Sequence, residues 1–117
     1  MKDLYISTSS FANINKAPLD LLNRNNITFT VNQSGKKIVP SDASYEYKNC
    51  KYLIAGTEDL SEVIINNPNL KFICRLGLGI ENVPISLLNE KNIKLSFTPA
   101  TVSKTVAEMT LSLMLNL

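Results

Sequence analysis

The chain has 117 residues, a formal net charge of +2, two cysteines, and no histidine or tryptophan. That length holds one domain with one core, and a small net charge with acids and lysines interspersed argues against a dedicated nucleic-acid or membrane surface. Without histidine no Ser-His-Asp triad, Cys-His pair or histidine-ligated metal site can be built, and the acids form no D-x-D or E-x-x-E cluster that would suggest an oxygen-ligand metal site.

In chain order, Leu4–Thr8 is a β-branched and aromatic run and reads as a first strand. Pro18–Arg24 reads as a helix, with Leu19, Leu21 and Leu22 on or near one face and Pro18 in the first turn, where its missing N–H would be unpaired anyway. Ile27–Val31 alternates as a second strand, and Asn32–Gly35 is turn chemistry. A weak helix is expected from Pro40 to about Lys48, then a buried strand at Tyr52–Ala55 and a loop at Gly56–Asp59. Asp59 and Glu62 stand at capping-box spacing before Val63, Ile64 and Ile65, and Asn66–Asn69 ends that helix. Lys71–Cys74 is a fourth strand, Ile85–Lys91 a helix opened by Pro84, and Ile93–Phe97 a fifth strand. Thr105 and Glu108 have capping-box spacing at the start of a last helix that runs to Leu117.

Five short strands alternating with helices predict an α/β fold. With tight right-handed connections the expected result is a flavodoxin-like parallel sheet of order 2-1-3-4-5, helices on both faces, and the functional edge at the carboxyl ends of the strands. No window approaches the ~18 apolar residues of a membrane span. The N-terminus lacks the long apolar stretch and small-residue cleavage site of a signal peptide. A cytoplasmic location is therefore expected, and Cys50 and Cys74, outside any C-x-x-C, are expected to be buried free thiols.

Gly77 and Gly79 exit the fourth strand. They do not complete a dinucleotide fingerprint: the third glycine position is Asn82, and Ser96–Thr98 offers no acid for a ribose hydroxyl. Paired glycines can instead serve a tight strand exit, or let a backbone approach a ligand and aim consecutive N–H groups at an anion. Gly56, Thr57 and Glu58 follow the third strand on the same edge, either as an ordinary loop or as a second wall of a site. Lys36 and Lys37 supply charge or form a solvated turn, and Arg75 fixes the loop, joins an interface or makes a surface salt bridge.

Three stretches carry a family resemblance: Arg75–Val83 (Arg-Leu-Gly-Leu-Gly-Ile-Glu-Asn-Val), Thr98-Pro99, and Val106-Ala107-Glu108 opening an apolar helix. In this order they resemble the first half of the NAD-dependent D-2-hydroxyacid dehydrogenases. Ser9-Ser10-Phe11, Asn32-x-x-Gly35-Lys36-Lys37 and Leu53–Glu58 resemble the phosphoglycerate-dehydrogenase-like branch. Glu81 stands for the usual Asp, and Ala55-Gly56 occupies roughly the place where phosphoglycerate dehydrogenases commonly carry an Arg-Ser pair for the substrate phosphate.

The resemblance implies that residues 1–100 form a substrate-binding domain and 101–117 a crossover helix toward a nucleotide-binding domain that this chain does not contain. It implies a substrate carboxylate held by the N–H groups of Leu78 and Gly79, with Gly56 and Thr57 nearby, and Val102 and Val106 on the NAD side of the cleft. The proton-transferring histidine and substrate-polarising arginine belong to the other half, so the chain alone is expected to be inactive and not to bind NAD. The expected partners are a small carboxylate and a second copy of the chain through residues 106–117, with no nucleic acid and no membrane. The alternative is a standalone carboxylate-binding or oligomerising module from a truncated gene product.

Overall fold

The structure is a computed structural model that describes residues 2–38, 47–100 and 102–117. Five strands lie parallel in the order β2-β1-β3-β4-β5, as the alternation of strand and helix patterns predicts: β1 Leu4–Ile6, β2 Phe29–Val31, β3 Tyr52–Ala55, β4 Phe72–Arg75 and β5 Lys94–Phe97. Pairing is in register along the sheet, with Ile6 opposite Val31 and Ile54, and Ala55 opposite Arg75. The helices are α1 Ala17–Arg24, α2 Ser61–Asn66, α3 Ile85–Glu90 and α4 Ser103–Leu115. The helix expected from Pro40 falls largely on residues outside the described ones; within them, Tyr47–Asn49 is a single 3-10 turn.

Period-two alternation assigns the faces. Leu53, Ala55, Ile73 and Arg75 are buried beneath α2 and α3, with Leu60, Val63, Ile64 and Leu88 from those helices and Val83 closing the core. Since β1 steps to β2 in one direction and β3 to β5 in the other, right-handed crossovers place α1 on the opposite face. That face carries an open apolar groove of about 800 Å³ beside Leu4, Tyr52, Ile54, Phe72 and Cys74. Cys74 is thus only half-buried, contrary to expectation, while Cys50 is buried and its thiol is pushed up to about 11 by that burial.

Local signals explain the helix ends. α1 and α3 stop alike: Asn26 and Asn92 take left-handed φ of +55° and +54°. The next N–H, of Ile27 and Ile93, closes onto the Leu22 and Leu88 carbonyls at 3.0 and 2.9 Å. Asparagine tolerates that conformation, and the chain turns directly into a strand. Neither capping box forms. Asp59 Oδ1 accepts the Ser61 N–H at 2.9 Å, but the residue preceding α2 is Leu60, with no side-chain cap. α4 begins at Ser103, so Thr105 lies inside the helix. The Lys91 ammonium takes the capping role at the other end of α2, donating to the Ile64 carbonyl at 3.0 Å, where the helix dipole favours a cation. In α1, Leu19 and Leu22 are half-buried, whereas Leu21 points to solvent.

α4 behaves differently from the other helices. None of its residues is buried, and Val106, Met109, Leu111, Leu113, Met114 and Leu115 are each more than half exposed. The radius of gyration, 15.8 Å, exceeds the ~13 Å of a compact domain near this size, as expected of a body with one projecting helix. Among the described residues no helix is long and apolar enough to cross a membrane.

Candidate functional site

The carboxyl ends of all five strands open on one edge, and a series of polar side chains fastens each loop there to its neighbour. Asn32, buried just past β2, donates from Nδ2 to the Ser7 carbonyl and to the Lys36 carbonyl, both at 2.8 Å. It thereby folds its own loop onto the exit of β1. Ser7 Oγ accepts the Gly56 N–H at 3.1 Å and donates to Glu58 Oε1; the Ile54 carbonyl, also 3.1 Å away, competes for the same proton. Glu58 is buried, and its two carboxylate oxygens accept the Gly56 N–H at 3.2 and 3.1 Å. This joins β1 to β3. Asn82 then donates to the Gly56 and Glu58 carbonyls at 3.2 and 2.6 Å and accepts from Arg75 Nε at 3.2 Å, joining β3 to β4. Finally Thr98 Oγ1 accepts the Gly77 N–H at 2.8 Å while Thr98 N–H returns to the Gly77 carbonyl at 3.1 Å, joining β4 to β5.

Two glycines are required by this arrangement. A Cβ on Gly56 would lie 2.6 Å from Thr8 Cγ2, so only glycine lets the β1 and β3 exits touch. Gly77 has φ +132°, and a Cβ there would meet Arg75 Nη1 at 2.7 Å. Arg75 is itself buried. It is not the surface salt bridge that its sequence position also allowed: its guanidinium is held by Asn82 and by the Leu76 carbonyl, and it fixes the loop from within.

The edge encloses a cavity of about 360 Å³ lined by Ser7–Ser10, Gly35–Lys37, Gly56–Glu58 and Leu76. Thr57 stands exposed in its wall. Gly56 is in the wall too, but its N–H is already committed to Glu58 and Ser7. Leu78 and Gly79 lie on the adjoining β4 loop, Leu78 exposed and Gly79 half-buried. Among the described residues their two N–H groups have no hydrogen-bond partner, which leaves them available to an anion. Gly79 does not need positive φ; the Glu81 carboxylate lies where its Cβ would stand. Val102 and Val106 are both exposed at the start of α4 and do not line the cavity. Ser7, Asn32 and Asn82 were not singled out as site residues by sequence, and Glu58 only as part of the loop after β3; Ser7, Asn32 and Glu58 carry the signal of a polar residue within three positions of a strand's carboxyl end, whereas Asn82 lies seven residues beyond β4 and carries none.

Residues 8–112 match the family model described as D-isomer specific 2-hydroxyacid dehydrogenase, catalytic domain. The chain belongs to this family. It is 36% identical over 61 residues to a hydroxypyruvate reductase of Thermotoga maritima, covering 52% of this chain and 20% of that one. It is 29% identical over 101 residues to glyoxylate/hydroxypyruvate reductase B of Salmonella heidelberg, covering 84% of this chain and 31% of that one. The chain thus spans between a fifth and a third of the length of these curated relatives.

Among solved structures, a D-isomer specific 2-hydroxyacid dehydrogenase from Polaromonas superposes with TM-score 0.80 at 22% identity, over 99% of this chain and 36% of that one. The NAD+-bound 3-phosphoglycerate dehydrogenase of Entamoeba histolytica superposes with TM-score 0.78 at 21% identity, over 97% and 38%. At such identities the superpositions establish the fold, the flavodoxin-like sheet of the family's catalytic domain.

The family's NAD finds no fit among the residues described. A pyrophosphate site sets a glycine turn against a helix N-terminus, whereas here α3 begins only at Ile85, and Asn82, at the third glycine position, is spent on fastening loops.

Proposed function

We propose that the chain holds the carboxylate of a small 2-oxo or D-2-hydroxy acid on the N–H groups of Leu78 and Gly79, as the substrate-binding part of an NAD-dependent cytoplasmic oxidoreductase. The observation that carries this is a pair of amides on the carboxyl edge that have no partner among the described residues, in a loop braced on one side by Asn82 and on the other by Thr98. Fixed N–H dipoles that need no reorganisation are well suited to an oxyanion. The similarity to hydroxypyruvate and glyoxylate/hydroxypyruvate reductases supports a short 2-oxo acid.

In this reading residues 1–100 bind substrate and 101–117 lead toward a nucleotide-binding domain. Hydride would pass between nicotinamide and C2 of the acid, with proton transfer by a group other than histidine of this chain, which has none. Alone the chain is inactive. Gly56 and Thr57 shape the neighbouring wall, and Val102 and Val106 line the approach of the cofactor. A standalone carboxylate-binding or oligomerising module is the second reading, favoured by the uncovered apolar surface of α4.

Titration calorimetry with glyoxylate tests the proposal. The chain should bind glyoxylate, and Gly79→Val, which places a side chain where the Glu81 carboxylate lies, should abolish the heat of binding. NAD should bind no tighter than ~1 mM, about −4 kcal/mol. Equal glyoxylate affinity in both proteins, or tight NAD binding, would contradict it.

A further inference from the structure

We infer that α4 of a second copy of this chain docks in the apolar groove beside α1, so that two copies exchange their last helices. The inference rests on the oligomerising reading of α4, names the surface that α4 meets, and is independent of the carboxylate site.

A parallel sheet is ordinarily covered on both faces. Here α2 and α3 cover one face, while on the other α1 serves only the β2–β1 end, between the strands it connects. The register sets Tyr52 beside Phe72 and Ile54 beside Cys74, and period-two alternation turns all four toward the open face. Tyr52 is exposed and the other three are half-buried. With Leu4 and Ile27 they line the groove of about 800 Å³. Apolar residues on the middle strands of such a sheet need a helix over them.

The chain has a helix of that kind and holds it elsewhere. No residue of α4 is buried. Ala107, Leu111, Met114 and Leu115 recur along it at the i, i+4, i+7, i+8 spacing of a helix that lies on a core. Docking on its own sheet is opposed at the exit from β5. Thr98 is bonded twice to Gly77, at 2.8 and 3.1 Å, Pro99 has a fixed φ, and Ala100 takes φ +61°. The chain leaves the sheet in that set direction, and the groove is left to the α4 of another copy.

Charge and area both match this occupant. Lys71 and Lys94 stand on the groove's rim at the amino ends of β4 and β5, exposed and, among the described residues, in no ion pair. A helix laid antiparallel to the strands, as a crossover helix is, sets its last turn at that rim. The last turn of α4 has no basic residue of its own, and its open carbonyls favour ammonium groups. A helix of 13 residues is ~20 Å long. Two of them, each on the other copy's sheet, bury on the order of 1,500 Å², the standard size of a stable interface. A two-fold exchange also closes on itself and covers both helices and both grooves.

The direct test mixes two forms of the full chain. One is ¹⁵N-labelled and native. The other is unlabelled and carries a nitroxide on Ser112→Cys, with Cys74→Ser so that the label goes to the exposed helix. The amides of Tyr52, Ile54, Phe72 and Cys74 in the ¹⁵N chain should broaden, because only a second copy brings the nitroxide to them. Light scattering supplies the second measurement. Tyr52→Glu should weaken association about tenfold, and Lys71→Glu/Lys94→Glu, both at exposed positions that tolerate exchange, about fivefold.

Broadening confined to α4 amides, or association unchanged by both the Tyr52 and the lysine variants, means that the helices pair with each other. The groove inference then falls and the oligomerising reading stands. A chain that stays monomeric with no broadening at all overturns both, and leaves the carboxylate site untouched.

Discussion

Asn82→Ala is expected to lower unfolding stability by about 3 kcal/mol, since a hydrogen bond to a charged group carries ~1.5–3 kcal/mol and orphaned buried partners add to the loss. Three contacts disappear at once: the acceptor for Arg75 Nε and the donor to the Gly56 and Glu58 carbonyls. The buried guanidinium then keeps only the Leu76 carbonyl among these partners, and a buried cation short of partners is costly. Asn82→Asp separates the contributions. It retains the acceptor for Arg75 but removes the donor and sets a carboxylate against two carbonyl oxygens, so it should also destabilise and should shift the Gly56–Glu58 amides. Urea denaturation measures both. An Asn82→Ala protein within about 0.5 kcal/mol of the native one, the ordinary range of a surface substitution, would show that the loops hold their places without this clasp.

The second large effect concerns association, which we propose occurs through residues 106–117. Solitary apolar side chains on a surface need no explanation, but a contiguous patch above a few hundred Å² is rare on a monomer. At ~25 cal/mol per Å², covering several hundred Å² stabilises a complex by several kcal/mol. α4 presents such a surface on every side, with only Lys104, Glu108 and a few small polar residues interspersed. The chain should therefore self-associate at micromolar concentration. Leu111→Asp with Leu115→Asp should weaken that association by roughly a hundredfold or more, each tenfold corresponding to ~1.4 kcal/mol. Light scattering across a concentration series checks it. A monomer at all concentrations, unchanged by the aspartates, would mean that α4 stays in water as the single chain shows it.

The sheet was legible because its signals are local. β-branched and aromatic runs at residues 4–8, 27–31, 52–55, 71–74 and 93–97 lie where the five strands form, within a residue or two at each end, and their alternation with helices fixes the parallel order. The helix caps were less legible. Capping-box spacing at Asp59/Glu62 and Thr105/Glu108 is a statement about two residues, whereas the actual starts of α2 and α4 follow Leu60 and Val102.

The clasps of the functional edge were the least legible. Ser7 and Glu58 lie 51 residues apart, Asn32 and Ser7 25 apart, and Asn82 reaches back 24 and 26 residues. Each of these side chains is an ordinary turn residue in its own sequence neighbourhood, and only the strand order brings the partners together. Gly56 illustrates the same limit. Its place on the edge was readable, but that its N–H is taken by Glu58, and so differs from the Leu78 and Gly79 amides, which have no partner among the described residues, depends on a side-chain conformation that no spacing reveals.

The central claim, that the carboxyl edge of the sheet is the binding edge and the β4 loop its anion site, is tested most directly by amide chemical-shift mapping with glyoxylate. The largest changes are expected at Leu78 and Gly79, with smaller ones at Thr57 and along the loops that Asn82 and Thr98 brace. Changes clustered instead around the apolar groove toward the opposite ends of the strands, at Leu4, Tyr52, Lys71 and Lys94, would contradict it.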